Sequence, residues 1–430
     1  PPPSAPHHRS LLLSGARLAD GRCVDVRLVG ERIEAVGTAG SLAAAPGPGA
    51  AGPAGTDGSR VDLTGYLLLP APAEPHAHYD TALTAAPAAP DGAPCPAWED
   101  VQRRTTEAAL LQLAQGATAL RTHVRISAVD GLRALESVLQ ARRALRGLVD
   151  LTTVAVPRLL TGAAGAEGLA MLRDAVKMGA TAVGGCPDLD PDPGGYTDAV
   201  LTVAAEHGCA VDLHTDGGDP ARLARLAAAA GGLRPGVSIG PCAGLARLPH
   251  QVALRTADQL AAAGVTVVCL PQGNCGVLER PSPGAPSRVA PVRILSAAGV
   301  AVAAGSGALR DAANPVGRGD PLEAAYLLAS HGETPPSPDR PGGAPGADGA
   351  YAAVSASARA AMGLPPVRVE AGFPAELLAV RATGIAEALS MAYSRVVVHR
   401  GRLVARTSAV REYHGSGASC ELGLPRQSQG

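Results

Sequence analysis

Between residues 98 and 333 the chain repeats one unit: a segment of helical periodicity followed by a short run rich in Val and Ala. "WEDVQRRTTEAALLQLAQGA" precedes "TALRTHVRI", and "GLRALESVLQARRALRG" precedes "VDLTTVAVP". "GAEGLAMLRDAVKMGA", "YTDAVLTVAAEHGC" and "ARLARLAAAAGG" precede "TAVGGCP", "AVDLHTD" and "VSIGP". "QVALRTADQLAAAG" and "SRVAPVRILSAAG" precede "VTVVCLP" and "VAVAAGSG", and "DPLEAAYLLASHGE" closes the series. With the buried run "GYLLLPAPA" counted first, eight strand–helix units result. That order predicts an α/β fold, a (β/α)8 TIM-type barrel, over residues 66–365.

The flanks read differently. "SLLLSGARLADGRCVDVRLVGERIEAVG" alternates apolar and polar residues between glycine turns, as two or three antiparallel strands do. The tail from "AELLAV" to "GRLVAR" returns to strands. Residues 9–65 and 366–415 are therefore expected to pair into a small β-sandwich. "AYAAVSASARAAMG" between barrel and tail reads as one helix. Residues 38–60 and 333–349, low in complexity and rich in Gly, Pro and Ala, are expected as flexible loops.

Composition removes several function classes. A net charge of −1 with no basic stripe excludes nucleic acid and anionic membrane surfaces as partners. No apolar run reaches membrane-spanning length, and "PPPSAPHHRSLLLSGARL" lacks a signal-peptide core, so a cytoplasmic location is expected. Eight cysteines without CxxC spacing read as reduced and mostly buried. One Phe and one Trp leave the core to Ala, Val and Leu. The sole lysine, Lys177, lies mid-helix, which removes Schiff-base chemistry and a lysine-bridged metal pair. A small-molecule ligand and a homo-oligomer are the expected partners.

In a barrel of this kind ligands gather at the C-terminal strand ends. The first strand ends in His76 and His78, whose i, i+2 spacing puts both rings on one face. The fifth ends in His214, in "VDLHTD". Three neutral imidazoles suit one Zn or Fe ion with a position left open. Two readings stand: one ion held by His76, His78 and His214, or no metal.

Several stretches together carry a resemblance. "EPHAHYDTALTA", "GATALRTHVRIS", "VDLTTVAVP", "LRDAVKMGATAVGGCPDLD", "AEHGCAVDLHTD", "SARAAMGL" and "GFPAELLAV" are similar to the amidohydrolase superfamily, within it the cytosine deaminase group, over nearly the whole chain. The resemblance implies hydrolytic loss of ammonia from a cytosine-like ring. It also implies one metal on the HxH pair, the strand-5 His and a strand-8 Asp, with a strand-6 His assisting. A Glu three residues past the strand-5 His shuttles protons in that family. His76, His78 and His214 match. The shuttle Glu falls at Gly217, the strand-6 His at Pro241, and the strand-8 Asp at Gly307, with Ala308 after it. A substrate-binding Gln falls at Arg158, and an Asp after the strand-2 His at Arg125. Loss of a general acid/base alone costs about 10²–10⁴-fold in rate.

The other polar groups at strand ends complete the candidates. Asp216 and Asp219 flank His214 and are weighed as substitutes for the lost carboxylate, against structural roles; Asp311 is weighed as a ligand against a helix cap. His123, ending strand 2, is read as lying behind the metal or in the core, with a catalytic role alongside His214 and Asp216 in an altered site. Cys186 and Cys242 read as small buried residues rather than ligands. Arg158 and Arg125 make either a cationic pocket for an anionic ligand or salt bridges to Asp188 or Asp190. Three functions follow: a barrel enzyme of altered chemistry with a degenerate deaminase site, possible in specialised metabolism; a catalytically dead ligand- or partner-binding pseudoenzyme; and a C–N hydrolase with a three-His metal site.

Overall fold

The computed structural model describes residues 10–42, 59–85, 98–163, 165–273, 289–336, 346–391 and 393–410. Most of the two expected loops, residues 43–58 and 337–345, lies outside them, as do Cys95, Cys275 and Cys420.

Sixteen strands are formed by the described residues: β1 Ser10–Arg17, β2 Cys23–Val29, β3 Arg32–Thr38, β4 Ser59–Asp62, β5 Leu67–Pro70, β6 Ala73–Ala77, β7 Ala119–Ile126, β8 Asp150–Pro157, β9 Ala182–Gly185, β10 Ala210–Thr215, β11 Val237–Pro241, β12 Thr266–Cys269, β13 Ala301–Ala304, β14 Leu377–Val380, β15 Arg395–His399 and β16 Arg402–Thr407. The eight strands β6 to β13 pair in sequence order, all parallel. A parallel bridge between Ala77 and Gly307 brings the last strand back to the first. The strands are nearly continuously buried, as expected when side chains face either the barrel interior or the helices. The helical segments between them are α1 Trp98–Ala114, α2 Arg133–Ala144, α3 Gly165–Met178, α4 Pro193–His207, α5 Pro220–Ala230, α6 His250–Ala262, α7 Val292–Ala297 and α8 Pro321–Ser330.

Three of these helices start with the same local device. Asp192, Asp219 and Asp320 each precede a proline at the first helical position and accept backbone N–H bonds from the first turn. The side-chain oxygen satisfies an orphan donor while proline presets φ. Asp219 is thus a cap and no substitute ligand. Asp320 also takes a buried two-point bond from Arg395 at 2.8 and 2.6 Å, which ties α8 to β15 in the second sheet.

The second sheet has the order β16-β15-β14-β5-β1-β2-β3, with β4 on β1. Its pairs are antiparallel except β1 with β4 and with β5. N- and C-terminal strands therefore meet in one sheet with its own core, including Leu13, Leu28, Leu68, Leu377 and Val398. The helix read over "AYAAVSASARAAMG" is two: α9 Ala347–Val354 and α10 Ala356–Ala361, separated at Ser355. Within the strand-like tail, α11 Ile385–Met391 interrupts β14 and β15. The barrel core is aliphatic as composition requires, with Tyr79 and Tyr196 its largest fully buried side chains. Among the described residues no helix is long and apolar enough to cross a membrane.

Candidate metal centre

Three strands carry polar residues at every second position, so each set points into the barrel together. β6 and the residue after it supply Glu74, His76 and His78; β7 supplies Arg121, His123 and Arg125; β10 supplies Asp212 and His214. Four of them converge. One potential ligand atom from each of His76, His78, His123 and His214 lies within 4.8 Å of the others, and all four residues are buried. His214 Nε2 is 3.1 Å from His78 Nε2. The rings of His76 and His123 are 4.1 Å apart, and those of His123 and His214 are 4.5 Å apart.

Burial sets the protonation of this cluster. Removal from water pushes the His78 imidazole down to about 4 and that of His214 to about 3. His76 and His123 lie well below the ordinary histidine range for the same reason, reinforced by neighbouring rings. Four neutral imidazoles result at neutral pH, the form that donates a lone pair to a metal. The donor set fits a divalent ion of the Zn or Fe type: imidazole is its preferred nitrogen ligand. Backbone carbonyls bear on two of the rings, that of Gly185 on His214 and that of Ala77 on His123, so in each ring the other nitrogen is left for a lone-pair role.

Below the rings lies a buried ion pair. Arg121 Nη1 donates to Asp212 Oδ2 at 3.1 Å, with the side chains 4% and 0% exposed. Asp212 Oδ1 sits 3.4 Å from His123 Nε2 and 4.0 Å from His76 Nδ1. Desolvation raises the Asp212 carboxyl although Arg121 opposes the shift. Behind β6, Glu74 accepts from the His76 and Ser306 backbone N–H groups at 2.9 and 2.8 Å and from the Ser306 hydroxyl. Burial pushes Glu74 up to about 7, against the pull of those bonds. Ser306, the residue before Gly307, is thereby tied to the strand bearing the histidine pair.

The remaining sequence candidates are distributed around the mouth. Asp216 pairs with Arg247 and accepts no contact from the cluster. Asp311 accepts from Thr81 Oγ1 at 2.8 Å and from the Ala313 and Asn314 backbone, so it orders its own loop. Arg125 Nε donates to Asp80 Oδ2 at 2.9 Å, while its side chain stays 53% exposed. Its partner is therefore Asp80, not Asp188 or Asp190. Asp188 accepts from Thr215 Oγ1 and Asp216 N, and Asp190 holds the Leu160 and Thr161 backbone. Arg158, just past β8, is exposed. Among the described residues no cysteine joins the cluster; burial pushes Cys186 up to about 12 and Cys242 well above its ordinary value, so both are thiols.

Gly217 and Gly307 have φ of +74° and +70°. An added Cβ at Gly217 would meet Cys242 Cα at 3.3 Å and Leu245 Cγ at 3.2 Å. The backbone at the shuttle position has thus settled into a conformation that L side chains resist.

No family model matches the chain. A pterin deaminase of Rhizobium rhizogenes is 30% identical over 388 residues, spanning 83% of this chain and 85% of the relative. The chain belongs to the amidohydrolase superfamily. Among solved structures of amidohydrolases, the N-isopropylammelide isopropylaminohydrolase of Burkholderia multivorans superposes with a TM-score of 0.76 at 26% identity, covering 93% of this chain and all 100% of that one. The 5-methylcytosine deaminase of Klebsiella pneumoniae, also at a TM-score of 0.76, is 21% identical over 95% of this chain and 100% of its own, a likeness of fold. In this superfamily member the histidine cluster stands at the C-terminal side of the barrel strands, where sequence reasoning placed His76, His78 and His214. Glu74, Arg121, Asp212 and Asp80 were missed, although their two-residue offsets from His76, His123, His214 and His78 were available as a signal.

Proposed function

We propose that this amidohydrolase is a metal-dependent hydrolase that cleaves a carbon–nitrogen bond of a small nitrogen heterocycle, with its acid/base group displaced from the family's usual position. The observation that carries the reading is the convergence of four buried neutral imidazoles at the barrel mouth, with one potential ligand atom of each within 4.8 Å of the others. The 30%-identical pterin deaminase supports the substrate class. A bound Zn²⁺ or Fe²⁺ would supply a Lewis acid there.

The chain's own residues do the rest. His76, His78 and His214 hold the ion. Arg121 pairs with Asp212 beneath the rings and opposes the desolvation that raises its carboxyl. Asp80, two residues past His78, keeps Oδ1 buried and without a hydrogen-bond partner while Arg125 holds Oδ2. We assign Asp80 the proton-carrying role that Gly217 is unable to fill, because it lies two residues past His78; Asp216, whose Oδ1 is likewise buried without a partner, pairs through Oδ2 with Arg247 at the rim. Arg158, exposed at the rim, gives the mouth a guanidinium suited to a carbonyl-rich or anionic ring, beside the Arg125–Asp80 pair.

The test is ammonia release from pterins, cytosine, isocytosine and aminotriazines by metal-loaded protein. Turnover of one of them, falling about 10²–10⁴-fold in Asp80→Asn with metal content unchanged, is the expected result. A second reading, ligand binding without turnover, is favoured by the side-chain-free positions 217 and 307. Stoichiometric metal with no ammonia from any ring would support it over hydrolysis.

A further inference from the structure

We propose that His123 is the fourth protein ligand of the divalent cation, giving a four-imidazole site in which a strand-2 ring replaces the carboxylate absent at Gly307. The inference rests on the reading of the cluster as a metal centre and goes beyond it by assigning an additional ligand.

His123 is 1% exposed, and neither ring nitrogen completes a hydrogen bond, although the Ala77 backbone bears on the ring. The ring stands among three others, 4.1 Å from His76, 4.5 Å from His214 and 5.3 Å from His78 between centroids. Nitrogens about 2.0–2.1 Å from a tetrahedral ion lie about 3.3–3.4 Å apart. The His78–His214 nitrogen pair, at 3.1 Å, already has that spacing, and the whole set lies within 4.8 Å. Metal binding through one ring nitrogen would leave the other as N–H, and Asp212 Oδ1, itself without a hydrogen bond, lies 3.4 Å from His123 Nε2. A carboxylate behind a ligating imidazole is the arrangement that fixes tautomer and ring orientation at metal sites.

The ligand chemistry follows from the donor set. Four neutral nitrogens with no coordinating carboxylate favour Zn²⁺, Co²⁺ or Ni²⁺ and disfavour Mg²⁺, Ca²⁺ and Mn²⁺. Gly307 leaves the ion's charge without a directly bonded anion, since Asp212 is shared with Arg121.

The experiment uses the full chain, stripped with chelator and reloaded with Zn²⁺ or Co²⁺. X-ray absorption on the loaded wild type counts imidazoles without any substitution, and a chromophoric chelator competition gives affinity for wild type, His123→Gln and His76→Gln. The proposal predicts four imidazoles and a 10- to 100-fold or greater loss of affinity in His123→Gln. Circular dichroism of the metal-free variant checks its fold. Three imidazoles, with His123→Gln binding as wild type does and His76→Gln not, would overturn the assignment and leave the metal-hydrolase reading standing. A wild type that binds neither ion would overturn both.

Discussion

Replacing Arg121 by Met removes one member of the ion pair under the four histidines and keeps the side-chain volume. The Asp212 carboxylate, 0% exposed, would lose its one cationic partner among the described residues, since His76, His123 and His214 around it are neutral at pH 7. Unit charges at the 3.1 Å seen between Arg121 Nη1 and Asp212 Oδ2 attract by about 5 kcal/mol at an effective dielectric of about 20. Breaking buried pairs by removing one partner costs about 3–5 kcal/mol in practice. We therefore expect Arg121→Met to lose about 3–5 kcal/mol of unfolding free energy in metal-free protein, by urea denaturation at pH 7. The double variant Arg121→Met, Asp212→Leu removes the stranded charge and is expected to recover most of that loss. If Arg121→Met costs less than about 1 kcal/mol, or the double variant falls as far as the sum of the singles, the pair does not balance charge in the way described.

Other outcomes follow from the same structure. His76, His78, His123 and His214 have lowered pKa values when folded, so the unfolded chain takes up four protons below about 6.5 that the folded chain refuses. Glu74, raised from 4.5 to about 7, holds one proton in the folded state over that window and works the other way. Metal-free protein should therefore lose stability as pH falls from 6.5 towards 4.5, by at most about 4 kcal/mol per pH unit for three net protons; a pH-independent urea midpoint across that range would contradict it. Gly217→Glu, which restores the family's shuttle residue by name, should cost about 1–3 kcal/mol because of its φ of +74° and leave ammonia release unimproved; a tenfold gain in turnover with unchanged stability would show that the loop accepts the side chain. Zn²⁺ at 100 times its dissociation constant should stabilise the protein by about 2.7 kcal/mol, measured as a shift in the urea midpoint, and this gain should vanish in His76→Gln.

The barrel was legible because its signal is repeated eight times and does not depend on any one residue. Each helical period followed by an apolar run has one low-energy arrangement next to its neighbours, and β6 to β13 follow it in order. Elements read from a single instance fared less well: α11 interrupts a segment read as strands, and one helix is broken at Ser355. For the site, His76, His78 and His214 were legible from strand-end position alone. His123 was read as lying behind the metal or in the core, with a catalytic role in an altered site; its ring stands among the other three, His123 sitting three residues before the end of β7 at Ile126. The acidic candidates show the opposite limit. Asp216, Asp219 and Asp311 are close to the site in sequence, but each is claimed by a local partner: Arg247, the first turn of α5, and the Thr81 hydroxyl with nearby backbone. Spacing along the chain does not reveal that competition. Asp80 was passed over for the converse reason, its partner Arg125 lying on the neighbouring strand.

Metal content of the purified full chain, read with ammonia release from the ring panel on the same sample, decides whether the histidine cluster is a working metal centre. About one Zn or Fe per chain is expected, with ammonia from at least one amino-substituted nitrogen heterocycle and loss of both in His76→Ala. Protein that binds no metal after reloading and releases no ammonia from any ring would contradict it.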